Sequence, residues 1–368
     1  MRELSARAAA IPLMRHLAPL LAVSTLLAGA VEAQQPRAPQ PDLPIDAAVR
    51  ARVVSNAVDV LQRSYVSPET ARTMADALRT RERSGGYDAV TSADAFARAL
   101  TDDLRAVSHD KHLRVTYSHA PVPPDREGFE PPAPSAADAA FRRSVNFGFE
   151  KLERLPGNIG YLELRGFDDA TLAGPTLAAA FTFLAETDAL VIDLRRNPGG
   201  SGETVALLAS YLFDAPTHLN SIVWRESGRT EESWTKADVP GRRYGQAKPV
   251  FVLTSDRTFS AAEECAYDLQ TRKRATVVGA TTGGGAHPGG PRRLDDHFEM
   301  WVPAGRAVNP VTKTNWEGVG VAPDHDVPEG DALRAAQVLA LQALLPSVAG
   351  PRADLMRRRL EELQRPTP

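Results

Sequence analysis

From residue 45 onward, apolar residues recur at helical spacing. Val53, Ala57, Val60 and Leu61 share one face of a segment that starts near Asp46. A second segment opens at Ser67-Pro68, with proline in the first turn, where its missing N–H costs nothing. A third opens at Ser92, and Phe96, Leu100 and Leu104 repeat every fourth residue along it. These stripes predict a small helical domain over residues 45–118, closed by Ser108-His-Asp-Lys-His112 and the alternating, strand-like Leu113-Arg-Val-Thr-Tyr117. Its apolar stripes read as core.

A Pro-rich stretch follows, assigned as a linker over 119–138. Beyond it the pattern changes. Strand candidates at Val145–Leu152, Ile159–Leu164, Ala189–Leu194, 249–253 and 275–279 alternate with helical segments at about 173–186, 202–212 and 260–271. The run Leu190-Val-Ile192 is continuously apolar, as in a strand buried on both faces. This alternation predicts an α/β core over 139–347 with a partly parallel sheet and crossover helices, ending in a helix near Asp331–Leu345. Past Gly350-Pro351, the charged segment Arg352–Gln364 reads as a solvated helix within a tail over 348–368.

Composition narrows the class. With 43% hydrophobic and 24% charged residues and a net charge of -3, nothing suggests nucleic-acid binding. The single cysteine, Cys265, excludes an intrachain disulfide and reads as a small buried apolar residue. Residues 1–33 resemble a bacterial-type signal peptide. Arg2, Arg7 and Arg15 precede an apolar run from Leu17 to Ala30, and small residues stand before a cut at Gln34. The run is shorter than the roughly 20 residues of a membrane span, so no stable membrane anchor is expected. Export to the periplasm or medium follows, with 34–44 as a disordered leader.

Two stretches could carry chemistry. Thr254-Ser-Asp-Arg-Thr-Phe-Ser-Ala-Ala-Glu263 places Ser260 at a strand-to-helix turn, where unpaired helix N–H groups would stabilise an adjacent oxyanion. The bland alternative is a capping box between Ser260 and Glu263. Asp193-Leu-Arg-Arg-Asn-Pro-Gly-Gly200 runs a buried strand into a glycine turn whose N–H groups could face a substrate carbonyl, or form a plain turn. The glycine-rich Gly283–Gly290 matches neither a phosphate-binding nor a dinucleotide-binding loop, and reads as a flexible active-site loop or a turn. Without a cysteine cluster or a His-Glu-x-x-His pattern, metal binding by His109 and His112 is not expected, and no cofactor is implied.

Together with Val278-Gly-Ala-Thr-Thr-Gly283 and Gly318-Val-Gly-Val-Ala-Pro-Asp324, these motifs resemble the S41 serine peptidases, in order and over most of the mature chain. The helices and the Val145–Leu164 segment are most similar to the interphotoreceptor retinoid-binding-protein-like branch. The resemblance implies a ClpP/crotonase-like β-α superhelix core with a small N-terminal helical domain. It implies Ser260 as nucleophile and Gly199, Gly200 and the Ala261 N–H as oxyanion hole. Tail-specific members carry a lysine base about 25 residues after the serine, but here that position falls in Gly283-Gly-Gly285. Lys273 lies roughly 20 Å along the same helix, and the short linker leaves no room for a PDZ module. The tricorn-like alternative uses an upstream histidine, His112 or else His109, with Glu317 orienting it and Glu263 supporting. The expected function is an exported serine peptidase acting on peptide or protein substrates, oligomeric state open. The rivals are a non-catalytic binder of apolar ligands on the same fold and an esterase-like hydrolase.

Overall fold

A computed structural model describes residues 40–124 and 135–365. The elements, in chain order, are α1 (Ala47–Ser64), α2 (Pro68–Arg83), α3 (Ala93–Ser108), β1 (Arg114–Tyr117), α4 (Ala136–Ser144), β2 (Phe149–Leu155), β3 (Ile159–Leu164), α5 (Ala170–Leu184), β4 (Ala189–Asp193), α6 (Gly202–Ser210), β5 (His218–Trp224), β6 (Thr230–Trp234), β7 (Val250–Thr254), α7 (Ala261–Thr271), β8 (Thr276–Gly279), β9 (Gly289–Asp295), β10 (Phe298–Pro303), β11 (Gly305–Val308), β12 (His325–Asp326), α8 (Ala332–Leu344) and α9 (Pro351–Gln364).

The first three helices begin where side chains cap them. Asp46, Ser67 and Ser92 accept from Val49, Thr70 and Ala95 N–H groups, satisfying donors the helix itself cannot. Their apolar stripes do not close on themselves alone. β1 pairs antiparallel with β10, which pairs with β9, and Leu294, Phe298, Met300 and Val302 share one core with α1–α3. The ring of Phe298 meets Phe96 edge-on at 6.0 Å. The helical region therefore borrows a hairpin from the far end of the chain. Gln40–Pro44, expected as part of a disordered leader, is tied to this region. Gln40 donates to the Tyr117 carbonyl and Pro44 bridges Ser92. The expected signal peptide, 1–33, lies outside the described residues.

The main sheet has the order β12-β8-β7-β4-β3-β2, parallel except for the β2–β3 pair. Its central strand β4 is buried throughout. Leu190 and Ile192 face a core with α5, α6 and α7, while Val191 faces one with α8 and α9. That two-sided cover explains the unbroken apolar run. The α9 segment is not simply solvated. Ala353, Met356 and Leu363 are buried, and Met356 and Leu363 belong to the core beneath α8. Several elements were not expected: α4, which straddles the end of the expected linker, the β9–β10 hairpin, β12 and the small antiparallel sheet β11-β5-β6. The parallel order brings the C-terminal ends of β4, β7 and β8 side by side, the place where open α/β sheets bind ligands.

Candidate active site

The turns after β4 and β7 are stitched together. Ser255 Oγ donates to the Arg195 carbonyl at 2.5 Å, and Thr258 Oγ1 to that of Leu194 at 2.8 Å. The Phe259 N–H donates to the Asn197 carbonyl at 3.0 Å. These bonds hold Ser260 half-buried at the head of α7 with φ 53° and ψ -123°. A serine at positive φ is strained, and such strain persists only where the surroundings over-determine it. What over-determines it here is Glu263. Its fully buried carboxylate accepts from the Ser260 N–H at 2.8 Å, the Gly284 N–H at 2.6 Å, the Gly285 N–H at 2.8 Å and Thr282 Oγ1 at 2.5 Å. Burial pushes its pKa up to about 7, against four donors that favour the ionised form. Glu263 thus caps the helix and anchors the glycine-rich loop.

That loop is pinned at several points. Gly284 O accepts from the Gly318 N–H at 3.0 Å, Gly285 O from Trp316 Nε1 at 2.9 Å, and Gly283 O from Lys111 Nζ at 2.6 Å. Each glycine carbonyl from 283 to 285 thus has a partner.

Across the turn, Gly199 and Gly200 have φ +112° and +133°, a region that residues with a Cβ rarely enter. A Cβ on Gly199 would stand 2.8 Å from Ser260 Cβ, which measures how closely this turn approaches the serine. The expected donors divide, however. The Gly199 N–H is committed to Asn197 Oδ1 at 2.9 Å. Asn197 Nδ2 is itself anchored on the Leu164 carbonyl. Among the described residues, the Gly200 and Ala261 N–H groups have no protein acceptor. Gly199 shapes the turn, and the available donors are Gly200 and Ala261.

The histidines also separate. His109 is exposed and serves as the left-handed C-cap of α3, its N–H on the Arg105 carbonyl. His112 is buried, its ring 4.5 Å from that of Phe259, the neighbour of Ser260. Arg105 holds the connecting turn by donating to the carbonyls of Lys111 and Leu113. Burial pushes the His112 imidazole down to about 4, so it stays neutral.

The carboxylate beside His112 is Asp110, which the sequence reading gave no role. Asp110 Oδ1 accepts the His112 N–H at 2.9 Å and lies 4.0 Å from His112 Nδ1. Its Oδ2 accepts from the Tyr65 hydroxyl at 3.1 Å. Burial and the Asp110 charge raise the Tyr65 pKa, which keeps it a neutral donor. Burial opposes the Asp110 charge, but His287 and His112 outweigh it and hold the carboxyl below its usual range. Glu317 sits one layer further out. Its Oε2 accepts from the Ala286 N–H at 2.6 Å and lies 3.4 Å from His287 Nδ1. His287 Nδ1 is also 3.9 Å from Asp110 Oδ2. Burial, then Asp110, raises the Glu317 pKa. His287 and Tyr65 were missed because nothing local marks them. Asp110 could have been found from its place two residues before His112, the spacing at which an Asp carboxylate reaches a following backbone N–H.

Known proteins resemble this chain in sequence and in fold. Peptidase family S41 matches residues 158–327, and the N-terminal domain of peptidase S41 in eukaryotic IRBP matches residues 47–150. The chain belongs to peptidase family S41. It is 30% identical over 194 residues to carboxyl-terminal-processing peptidase 2, chloroplastic, of Arabidopsis thaliana, covering 51% of this chain and 36% of that protein. It is 30% identical over 177 residues to the carboxy-terminal-processing protease of Bartonella bacilliformis, covering 46% and 39%. The chain thus spans well under half the length of these two relatives. In fold it is similar to a lipoprotein from Streptococcus agalactiae (TM-score 0.55, 16% identity, 82% of this chain and 98% of that one). Mature CPAF complexed with lactacystin is similar too (TM-score 0.51, 14% identity, 84% and 100%).

Proposed function

We propose that this chain is an exported peptidase that cleaves peptide bonds through an acyl-enzyme on Ser260. His112 takes the hydroxyl proton as Oγ attacks the carbonyl and returns it to the leaving amine. The Gly200 and Ala261 N–H groups receive the developing oxyanion. Asp110 orients the imidazole, and Glu317 acts at one remove, through His287. The observation that carries this reading is the strained Ser260 turn with the buried, neutral His112 packed on Phe259 beside it. A neutral imidazole is the form a general base needs. The relatives' names point to processing near carboxyl termini as the substrate class. The IRBP-type N-terminal region favours a second reading, a non-catalytic binder of apolar ligands.

An active-site fluorophosphonate separates the two. Wild type should label and Ser260→Ala should not. Equal labelling of both would remove Ser260 as nucleophile. No labelling and no turnover of peptides or esters, with saturable binding of a fluorescent fatty acid, would establish the binder.

A further inference from the structure

We propose that Asp110, His287 and Glu317 form a site for a zinc-class divalent cation whose binding neutralises the carboxylate that orients His112. The binding claim stands by itself, whereas the effect on turnover rests on the peptidase reading above. One ligand atom from each of the three residues lies within 4.8 Å of the others. Two of the separations are 3.4 Å (His287 Nδ1 to Glu317 Oε2) and 3.9 Å (His287 Nδ1 to Asp110 Oδ2). In a tetrahedral site with metal–ligand bonds of roughly 2.0–2.2 Å, neighbouring ligand atoms stand ~3.4 Å apart. The cluster needs only small inward movements to reach that geometry.

A second observation points to the same place. The Nδ1 atoms of His112 and His287 are both buried without a hydrogen-bond partner. His112 is only 9% exposed, and its Nδ1 looks toward Asp110 from 4.0 Å. Buried polar atoms are almost always paired, and an unpartnered imidazole nitrogen beside carboxylate oxygens is the donor set that zinc takes. The supports are those of a ligand shell, since Tyr65 holds Asp110 and the Ala286 N–H holds Glu317. His112 Nδ1 or water completes the coordination. With Asp110 Oδ2 on the metal, the ion offsets the carboxylate charge that favours an imidazolium at His112, whose Nδ1 lies 4.0 Å from Oδ1. If Nδ1 coordinates too, the ring is fixed by the ion and no longer free to cycle its proton with Ser260.

Co2+ titrated into the metal-free full chain tests this. Wild type should saturate at one ion per chain with the intense visible bands of a four-coordinate site, and Zn2+ should displace it. Ser260→Ala spares every ligand and should bind identically, whereas His287→Ala and Glu317→Gln should lose the bands. The thermal transition of each metal-free variant is checked first, and His287→Asn replaces His287→Ala if the latter fails to fold. The absence of saturable Co2+ binding by wild type, or an unchanged spectrum in both ligand variants, overturns the site. In turnover, Zn2+ should inhibit wild type reversibly to EDTA. The inhibitory midpoint in His287→Ala should rise by at least roughly tenfold; an equal midpoint overturns the inhibitory role. Failure of the peptidase reading would appear as no turnover before metal is added, and would leave the Co2+ result standing.

Discussion

The N–H of Ser260 donates to Glu263 Oε2 at 2.8 Å, and the same carboxylate receives Gly284, Gly285 and Thr282. One buried side chain thus sets both the backbone of the candidate nucleophile and the loop facing it. Glu263→Gln replaces an acceptor oxygen with an NH2 group that must face donors. One or more N–H groups then stay unpaired in the interior, at roughly 1–3 kcal/mol each. Urea unfolding should show a loss of that order, with a fall in turnover beyond what the unfolded fraction explains. Unchanged stability would mean that the four bonds do not hold the turn.

Gly285 leaves space that nothing else can. A Cβ there would lie 2.3 Å from Phe259 Cζ and 2.7 Å from His112 Cε1. Gly285→Ala must therefore push the imidazole away from its place beside the serine. A displacement of about 1 Å costs on the order of a hundredfold in a positioned reaction. The value of kcat/KM should fall by that order, with only moderate loss of stability. Retained kcat/KM would argue against His112 as the base.

These relationships divide into what the sequence displays and what it hides. The sheet was legible because Leu190, Val191 and Ile192 are packed from both sides, which leaves an uninterrupted apolar run. β6 was not, because Thr230–Trp234 has no buried residue and so carries no alternation. In α9, Ala353, Met356 and Leu363 form a thin buried stripe among charges that reads as solvated. The turn holding Ser260 was visible in its motif. The loop that Glu263 anchors was not, since glycine reveals nothing about which acceptor its N–H will meet. His112 and His109 look alike in sequence. Only the left-handed cap at His109 turns one outward and leaves the other against Phe259.

Asp110 Oδ1 is 4.0 Å from His112 Nδ1, and the Tyr65 hydroxyl fixes its other oxygen. Asp110→Asn keeps the shape and removes the charge that favours an imidazolium during turnover. In the serine-protease precedent, such a change costs about 10⁴ in kcat. The longer separation here predicts a loss of roughly 10²–10⁴, mostly in kcat, with fluorophosphonate labelling slowed in parallel. Tyr65→Phe should reproduce a small part of it. If Glu317→Gln costs this much and Asp110→Asn costs little, the orienting role belongs to Glu317 and not to Asp110.

Burial pushes His112 down to about 4 from an ordinary 6.5, and this has a definite sign. The folded chain holds this proton less readily than the unfolded chain, so stability rises with pH between the two values. The contribution is complete above 6.5 and is lost as pH falls from 6.5 toward 4. At roughly 1.4 kcal/mol for each tenfold loss of proton affinity, it amounts to about 3 kcal/mol. Urea midpoints measured between pH 4.5 and 7 should fall with pH in wild type, and fall less steeply in His112→Gln. The same depressed value keeps the base neutral in mildly acidic solution, so the acid limb of kcat/KM should lie near 4–5, well below 6.5. An acid limb at 6.5 or above, with equal slopes of stability in wild type and variant, would show that His112 titrates as an exposed histidine and is not the buried base proposed for Ser260.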